Sequence, residues 1–302
     1  LLIFKDYSLL YKNYNSYHLF FLTLFLTLCN LFSQNRKPYF DCPCPQIIAH
    51  QGSSLELPPN TVEAFQLALK QGADIIELDI WRTEDGEWVV VHDENLLKIT
   101  GINKNVGELT LSEINSLDAG YGFYKNNYGD VALSNKKYQI PTLERIFKIF
   151  PNEKINIEIK DPDLSGLSSF IDLINKYKAI DNILVVSSHY GVIKKFRRMT
   201  EYQIATAASR NDIKNMMFWS WWPFYKFRFD AFQLPFYSKT VEKYGMNNVK
   251  WVKDKQEKQL EVHYWTIDNT TDIKNVISIG ANGIITNRPG VVYDILKGQG
   301  RR

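Results

Sequence analysis

The sequence predicts a (β/α)8 TIM-type barrel, an α/β fold with an insertion after the hairpin of its second strand, on three observations. Short apolar β-like runs recur along the chain, helical patterns fall between them, and chemically costly residues stand at the ends of the runs. An open doubly wound sheet would give a similar alternation, but the chain has no G-x-G-x-x-G.

In order, the strand runs are Ile47–His50, Ile75–Ile80, Ile155–Ile159, Ile183–Ser187, Ile204–Ala207, Ala231–Leu234, Val262–Thr266 and Gly283–Thr286. These suffice for a closed barrel when Trp88–His92 is taken as one arm of a hairpin projecting above the second strand. Helical patterns fall at Thr61–Lys70, Leu143–Phe150, Leu167–Lys178, Gly191–Met199, Thr271–Ile279 and Val291–Lys297. Residues 94–139 form an insertion over the barrel mouth, with a helix at Leu111–Leu117. Residues 34–46 read as an entry segment and 47–302 as a single barrel domain, since nothing marks an interdomain linker.

The first 33 residues differ in kind. Leu19–Phe32 is uncharged and strongly apolar, with Lys5 and Lys12 before it and Arg36 and Lys37 after it. It is short for a spanning helix and suits a signal-peptide hydrophobic region cut near Ser33–Gln34; a retained membrane anchor is the alternative. Either reading makes the protein secreted or periplasmic, or anchored to a membrane with its catalytic part outside the cytosol. Beyond this segment the cysteines are Cys42 and Cys44, too close together for an unstrained disulfide and too few for a zinc site. A net charge of +3, without a basic stripe interleaved with aromatics, argues against nucleic acid.

Candidate chemistry concentrates between His50 and Asp93. His50 and His92 bracket Glu77 and Asp79, and the acids lie inside the apolar run IIELDI. Asp85-Gly86 predicts a two-residue hairpin turn that sets Asp79 directly across from His92. Side chains alternate along a strand, so Glu77 shares that face and the two carboxylates and an imidazole converge. Buried acids without a partner cation are costly, so the pattern asks for a metal.

The motifs HQG, PNT, GADIIELDI, TEDG and VVVHDE resemble the N-terminal half of the glycerophosphodiester phosphodiesterase family. The resemblance continues through INIEIKDP (Ile155–Pro162), VVSSH (Val185–His189), VHYWTIDN (Val262–Asn269) and GANGIITNRP (Gly280–Pro289). It covers Ile47 to Leu296. The resemblance implies metal-dependent hydrolysis of glycerophosphodiesters to glycerol 3-phosphate and an alcohol. The implied attack is by the glycerol's own vicinal hydroxyl, through a cyclic phosphate. It also implies that Glu77, Asp79 and Glu158 bind the metal; hard oxygen ligands without Cys suit Mg²⁺ or Ca²⁺. His50 and His92 would share proton transfer. Lys160, two residues beyond Glu158 on the same strand face, would meet the phosphate charge, and Trp265 would pack on the glycerol carbons.

Two departures stand out. The family usually has Arg where this chain has Gln51, a neutral amide that grips phosphate less well. It usually has Glu before Asn-Thr, where this chain has Pro59. Glu56 is a weak candidate replacement. Asn60 would contact a substrate hydroxyl or cap the helix beginning at Thr61. A binding relic that grips a phosphorylated ligand, or a phospholipase C stopping at the cyclic product, would share the fold, but the retained His50, Glu77, Asp79, His92, Glu158 and Lys160 argue for full hydrolysis.

Residues 216–227, MMFWSWWPFYKF, are too aromatic for an ordinary surface helix. They read either as a lip that rests on lipid or accepts an acyl chain, or as an outer helix packed under the insertion. A lipid-facing lip would turn the substrate toward lysophospholipids and the activity toward lysophospholipase D.

Overall fold

A computed structural model describes residues 36–128, 137–222 and 225–302. The apolar run Leu19–Phe32 and the expected cut at Ser33–Gln34 lie outside the described residues. Among the described residues no helix is long and apolar enough to cross a membrane.

The chain runs β1 (Gln46–His50), α1 (Val62–Lys70), β2 (Ile75–Arg82) and β3 (Trp88–Val90), then α2 (Leu97–Thr100), α3 (Leu111–Ser116) and α4 (Tyr121–Tyr128) of the insertion. It continues α5 (Leu143–Ile149), β4 (Lys154–Ile159), α6 (Leu167–Lys176), β5 (Ile183–Val186), α7 (Tyr190–Met199), β6 (Ala205–Thr206), α8 (Arg210–Trp219) and β7 (Ala231–Pro235). It ends α9 (Lys239–Lys243), α10 (Val249–Glu257), β8 (Glu261–Trp265), α11 (Thr270–Ser278), β9 (Gly283–Thr286) and α12 (Pro289–Gly298).

The strand order β6-β5-β4-β2-β1-β9-β8-β7 curls round until a parallel bridge between Ala207 and Ala231 links the two ends. Eight parallel strands thus make a nearly closed barrel ringed by helices, as the sequence predicts. The strand runs read from the sequence all recur, with no end displaced by more than two residues. Helices α2, α4, α9 and α10 are not among the helical patterns of the sequence, and of α8 only the aromatic end is read, in one alternative, as a helix: α2 and α9 are a single turn or so and α10 is lysine-rich.

Local signals set the helix starts. Thr61 accepts from the Ala64 amide, Thr142 from Arg145 and Asn269 from Asp272, while Ser209 forms a capping box with Asp212. Each cap satisfies an amide that the first helical turn leaves unpaired.

The apolar runs that carry acids are explained by strand alternation. On β2, Ile76, Leu78 and Ile80 point outward into a core with Phe65, Leu143, Phe170 and Phe196 from the helices. Their neighbours Ile75, Glu77 and Asp79 therefore face the barrel axis. On β4, Ile155, Ile157 and Ile159 join the same outer core, which turns Asn156 and Glu158 inward. The lower end of the barrel is stoppered by the entry segment: Tyr39 and Phe40 pack against Ile48, Ile75, Leu184, Ala205, Ala231 and Ile285. A dry apolar floor below and acids above fix the reactive end at the C-terminal ends of the strands.

The hairpin corrects the predicted register. Ile80 pairs with Val90 and Arg82 with Trp88, so Asp79 lies opposite Val91, whose amide donates to the Asp79 carbonyl at 2.9 Å, and not opposite His92. The cause is a three-residue loop, Glu84–Gly86. The Gly86 amide donates to the Thr83 carbonyl and the Thr83 amide to Glu87, with Gly86 at φ +89°. A turn followed by a glycine in the left-handed region absorbs one more residue than a two-residue turn.

Candidate active site

The structure gathers Glu77, Asp79 and Glu158 with carboxylate oxygens all within 4.8 Å of one another. Parallel pairing does this directly, because Asp79 is the register partner of Glu158 and Glu77 of His50. Glu77 and Asp79 are buried and Glu158 is partly so. Burial, and next the charge of Asp79, holds the Glu77 carboxyl well above the ordinary carboxylate range. Three carboxylates this close repel one another and demand positive charge.

Lys160 supplies part of that charge. Its ammonium lies 2.9 Å from Glu158 and 3.3 Å from Asp79. Burial works against the ammonium, but Asp79 and Glu158 outweigh it and the Lys160 pKa is raised. One ammonium against three carboxylates leaves an excess of negative charge, so the donor set fits a hard divalent cation.

Loop residues hold Asp79 in place. The Gln51 side-chain amide donates to Asp79 Oδ2 at 3.0 Å and that of Asn60 at 3.1 Å. The Gln51 backbone amide donates to Glu77 at 2.9 Å. Both residues have positive φ, 56° and 59°, and the Asn60 amide donates to the Gln51 carbonyl. Such conformations are uncommon outside glycine and persist only where surroundings enforce them. Gly52 allows the turn, since at φ +85° any Cβ would sit 2.6 Å from the Ala64 backbone. Asn60 therefore braces an acid; the helix cap expected of it belongs to Thr61. Gln51 likewise points at the carboxylate cluster. Glu56 bonds Ser53 and Gln71 and is not part of the cluster.

The histidines arrive from different elements. His50 ends β1, and its Nδ1 is 2.7 Å from Asn287 Oδ1. Asn287 is itself fixed: its side-chain amide donates to Asp268 at 2.7 Å, its backbone amide donates to the same carboxylate, and the Ser54 hydroxyl donates to Asn287 Oδ1. His92 lies just beyond β3, with Nδ1 2.7 Å from Asp93 and Nε2 3.3 Å from the Lys160 ammonium. Despite the altered register His92 thus reaches the cluster, through Lys160. Asn287 and Asp268 went unread in the sequence, although TIDN and ITNRP place them just past the last two barrel strands, where chemistry is displayed.

His50, Gln51, Pro59, Asn60 and His92 line one cleft of about 370 Å³. The rest of the lining, from the hairpin, the insertion and the residue after it, mixes apolar Val91, Ile99, Ala119, Phe123 and Ile140 with polar Asp93, Lys98, Asn126 and Asn127. Trp265 ends β8 and is 44% exposed; it does not line this cleft.

The aromatic segment lies elsewhere. It begins in the last turn of α8 and runs on toward the start of β7, and Arg228 just beyond it donates to the Tyr202 hydroxyl, just before β6. This is the end of the barrel away from the carboxylates. Phe218, Trp219, Trp221 and Trp222 are 50–72% exposed, so among the described residues they are not packed under the insertion. Pro223 and Phe224 lie outside the described residues.

Residues 50–291 match the model of the glycerophosphoryl diester phosphodiesterase family. A glycerophosphodiester phosphodiesterase of Caldanaerobacter subterraneus is 29% identical over 83% of this chain and 97% of its own. Human lysophospholipase D GDPD1 is 27% identical over 90% of this chain and 92% of its own. Among solved structures, a glycerophosphoryl diester phosphodiesterase-like protein of Silicibacter pomeroyi superposes with TM-score 0.70 at 20% identity, covering 89% of this chain and 98% of that one. A glycerophosphodiester phosphodiesterase of Agrobacterium tumefaciens superposes with TM-score 0.67 at 21% identity, covering 82% and 99%.

Proposed function

The chain belongs to the glycerophosphodiester phosphodiesterase family of hydrolases, and from that premise we propose that it releases glycerol 3-phosphate and a free alcohol by paired histidine acid–base catalysis beside a divalent cation. The observation that carries this reading is the meeting of Glu77, Asp79 and Glu158 within 4.8 Å, next to a cleft lined by both His50 and His92.

Glu77, Asp79 and Glu158 would hold the ion, Mg²⁺ or Ca²⁺, which polarises the phosphoryl group and lowers the pKa of the attacking hydroxyl. The remaining work falls to side chains. With Nδ1–H donated to Asn287, His50 keeps the Nε2 lone pair free to take a proton from the vicinal hydroxyl of the glycerol. That oxygen bonds to phosphorus, the bond to the alcohol breaks, and His92 protonates the departing oxygen. Water then opens the cyclic phosphate with the two histidines exchanging roles. Lys160 opposes the negative charge on the phosphoryl oxygens. Gln51, tied to Asp79, leaves phosphate binding to Lys160. Trp265 stays a candidate for packing on the glycerol carbons from the rim.

A second reading is favoured by the apolar part of the cleft lining. Val91, Ile99, Ala119, Phe123 and Ile140 beside the histidines suit one acyl chain, which supports a lysophospholipase D activity like that named for the human relative. The apolar N-terminal run supports a location outside the cytosol, secreted, periplasmic or membrane-anchored.

The test is choline release from glycerophosphocholine and from lysophosphatidylcholine by the full chain, with EDTA, Mg²⁺ or Ca²⁺. Metal-dependent release that His50→Ala abolishes is expected. Release unaffected by EDTA would overturn the metal reading, and a preference for the acylated substrate would favour the second activity.

A further inference from the structure

Four large aromatic side chains stand at the end of α8 and in the connection that follows it, on the barrel end opposite the catalytic cleft. Phe218 is 72% exposed, Trp219 58%, Trp221 71% and Trp222 50%. Burying such residues is favourable, and their display together marks a surface that meets another phase or molecule. Met199 and Tyr202, from the connection between α7 and β6 at the same end, are exposed as well.

Charge says which phase. The groove that continues from Trp219 between α7 and α8 is lined by Lys194, Arg198, Lys226 and Arg228, all exposed. The acid in that groove, Asp212, is buried and paired with Arg197 at 2.9 Å, while Lys194 lies over the Tyr190 ring and Arg228 bonds the Tyr202 hydroxyl. Tryptophans beside lysines and arginines match a bilayer interface, where rings sit at headgroup depth and cations meet anionic lipid.

Connectivity supplies the independent observation. Arg36 pairs with Glu261 at the first residue of β8, and Lys37 with Asp230 just before β7 and with the Ile204 carbonyl just before β6. The chain therefore enters the barrel at the same end as the aromatic connection.

We propose that the barrel end at the N-terminal ends of the strands is a docking surface for an anionic lipid bilayer, with the catalytic cleft turned toward water. This orientation does not depend on the proposed reaction. It has a functional consequence: substrate reaches the histidines from the aqueous side, as a soluble diester or a released lysophospholipid monomer.

The test uses the full chain mixed with phosphatidylcholine vesicles containing phosphatidylglycerol and bromine-labelled lipid, reading quenching of tryptophan fluorescence. The seven tryptophans all lie outside residues 1–35, so the signal comes from the barrel. The parent and Trp265→Phe proteins should be quenched alike. The combined Trp219→Phe, Trp221→Phe, Trp222→Phe protein should lose at least half of the quenching while hydrolysing glycerophosphocholine as before. Replacing Lys194, Arg198, Lys226 and Arg228 by Gln should remove the dependence on phosphatidylglycerol. Quenching that survives the triple substitution, or that disappears with Trp265→Phe, would overturn the proposal, the latter because it would put the mouth against the lipid.

Discussion

His50 Nδ1 lies 2.7 Å from Asn287 Oδ1, and Asn287 is in turn locked to Asp268 by its side-chain and backbone amides. The relay joins the ends of three neighbouring barrel strands and fixes which imidazole nitrogen carries the proton. Asn287 acts through His50, so it is a positioning residue. Asn287→Ala should lower kcat by about ten- to a hundredfold while KM changes by less than about threefold. Asn287→Gln, which keeps both an acceptor for His50 and a donor for Asp268, should recover part of the loss. An equal fall in both variants, or a change confined to KM, would refute the positioning role.

The two amides on Asp79 predict a measurable effect on the cation. Gln51 and Asn60 hold one oxygen of Asp79 at 3.0 and 3.1 Å, which orients the other toward the cluster. Removing such supports typically weakens metal binding by about ten- to a hundredfold. Gln51→Ala and Asn60→Ala, titrated calorimetrically with Mg²⁺ and Ca²⁺, should each show a loss of that size. Unchanged affinity would mean that Asp79 needs no bracing to bind.

Metal should also stabilise the fold, since it relieves the repulsion among Glu77, Asp79 and Glu158. Ligand at a hundred times its Kd contributes about 2.7 kcal/mol. For a domain of this size that corresponds to a rise in Tm of about 5–10 °C. Calorimetry with and without Mg²⁺ or Ca²⁺ reads it, and EDTA should reverse it. In Glu77→Gln combined with Glu158→Gln the rise should vanish; a rise of equal size there would place the ion elsewhere.

The loop correction carries a stability prediction of its own. Gly86 sits at φ +89° with open space where a Cβ would go. Gly86→Ala meets no clash, so its cost should be that of the left-handed backbone alone, about 1–2 kcal/mol. Urea unfolding reads this, and a cost near zero would mean that the loop relaxes to another turn.

What the sequence disclosed follows physical lines. Strand alternation made IIELDI legible as a strand with an apolar outer face and an acidic inner one, and the barrel followed from the recurrence of such runs. The loop length was not legible, because Asp85-Gly86 serves a two-residue and a three-residue turn equally well, and one residue decides what faces Asp79. Asn287 and Asp268 were missed because a relay between two loops has no periodicity to read. The place of the aromatic connection was within reach: a segment that follows a helix and precedes a strand lies at the entry end of a barrel, opposite the chemistry. Its aromatic content instead leaves two readings open, a substrate lip and an outer helix packed under the insertion.

His263 predicts how the barrel responds to acid. It lies inside the barrel on β8, fully buried, with Nε2 unpartnered and Nδ1 3.4 Å from Gln233, and burial lowers its pKa from the ordinary 6.5 to about 3. Because the folded pKa is depressed, the folded state is neutral while the unfolded chain takes up a proton below about pH 6.5. The unfolded state binds more protons there, so stability is intact above pH 6.5 and falls as the pH drops toward 3. Between pH 7 and pH 5 this group alone should cost about 2 kcal/mol of unfolding free energy. His263→Leu removes the titration. Urea unfolding of the variant should therefore lose about 2 kcal/mol less than the parent over the same interval, whatever its stability at pH 7. Equal losses in the two proteins would show that His263 gains its proton without unfolding the barrel, through water admitted beside Gln233.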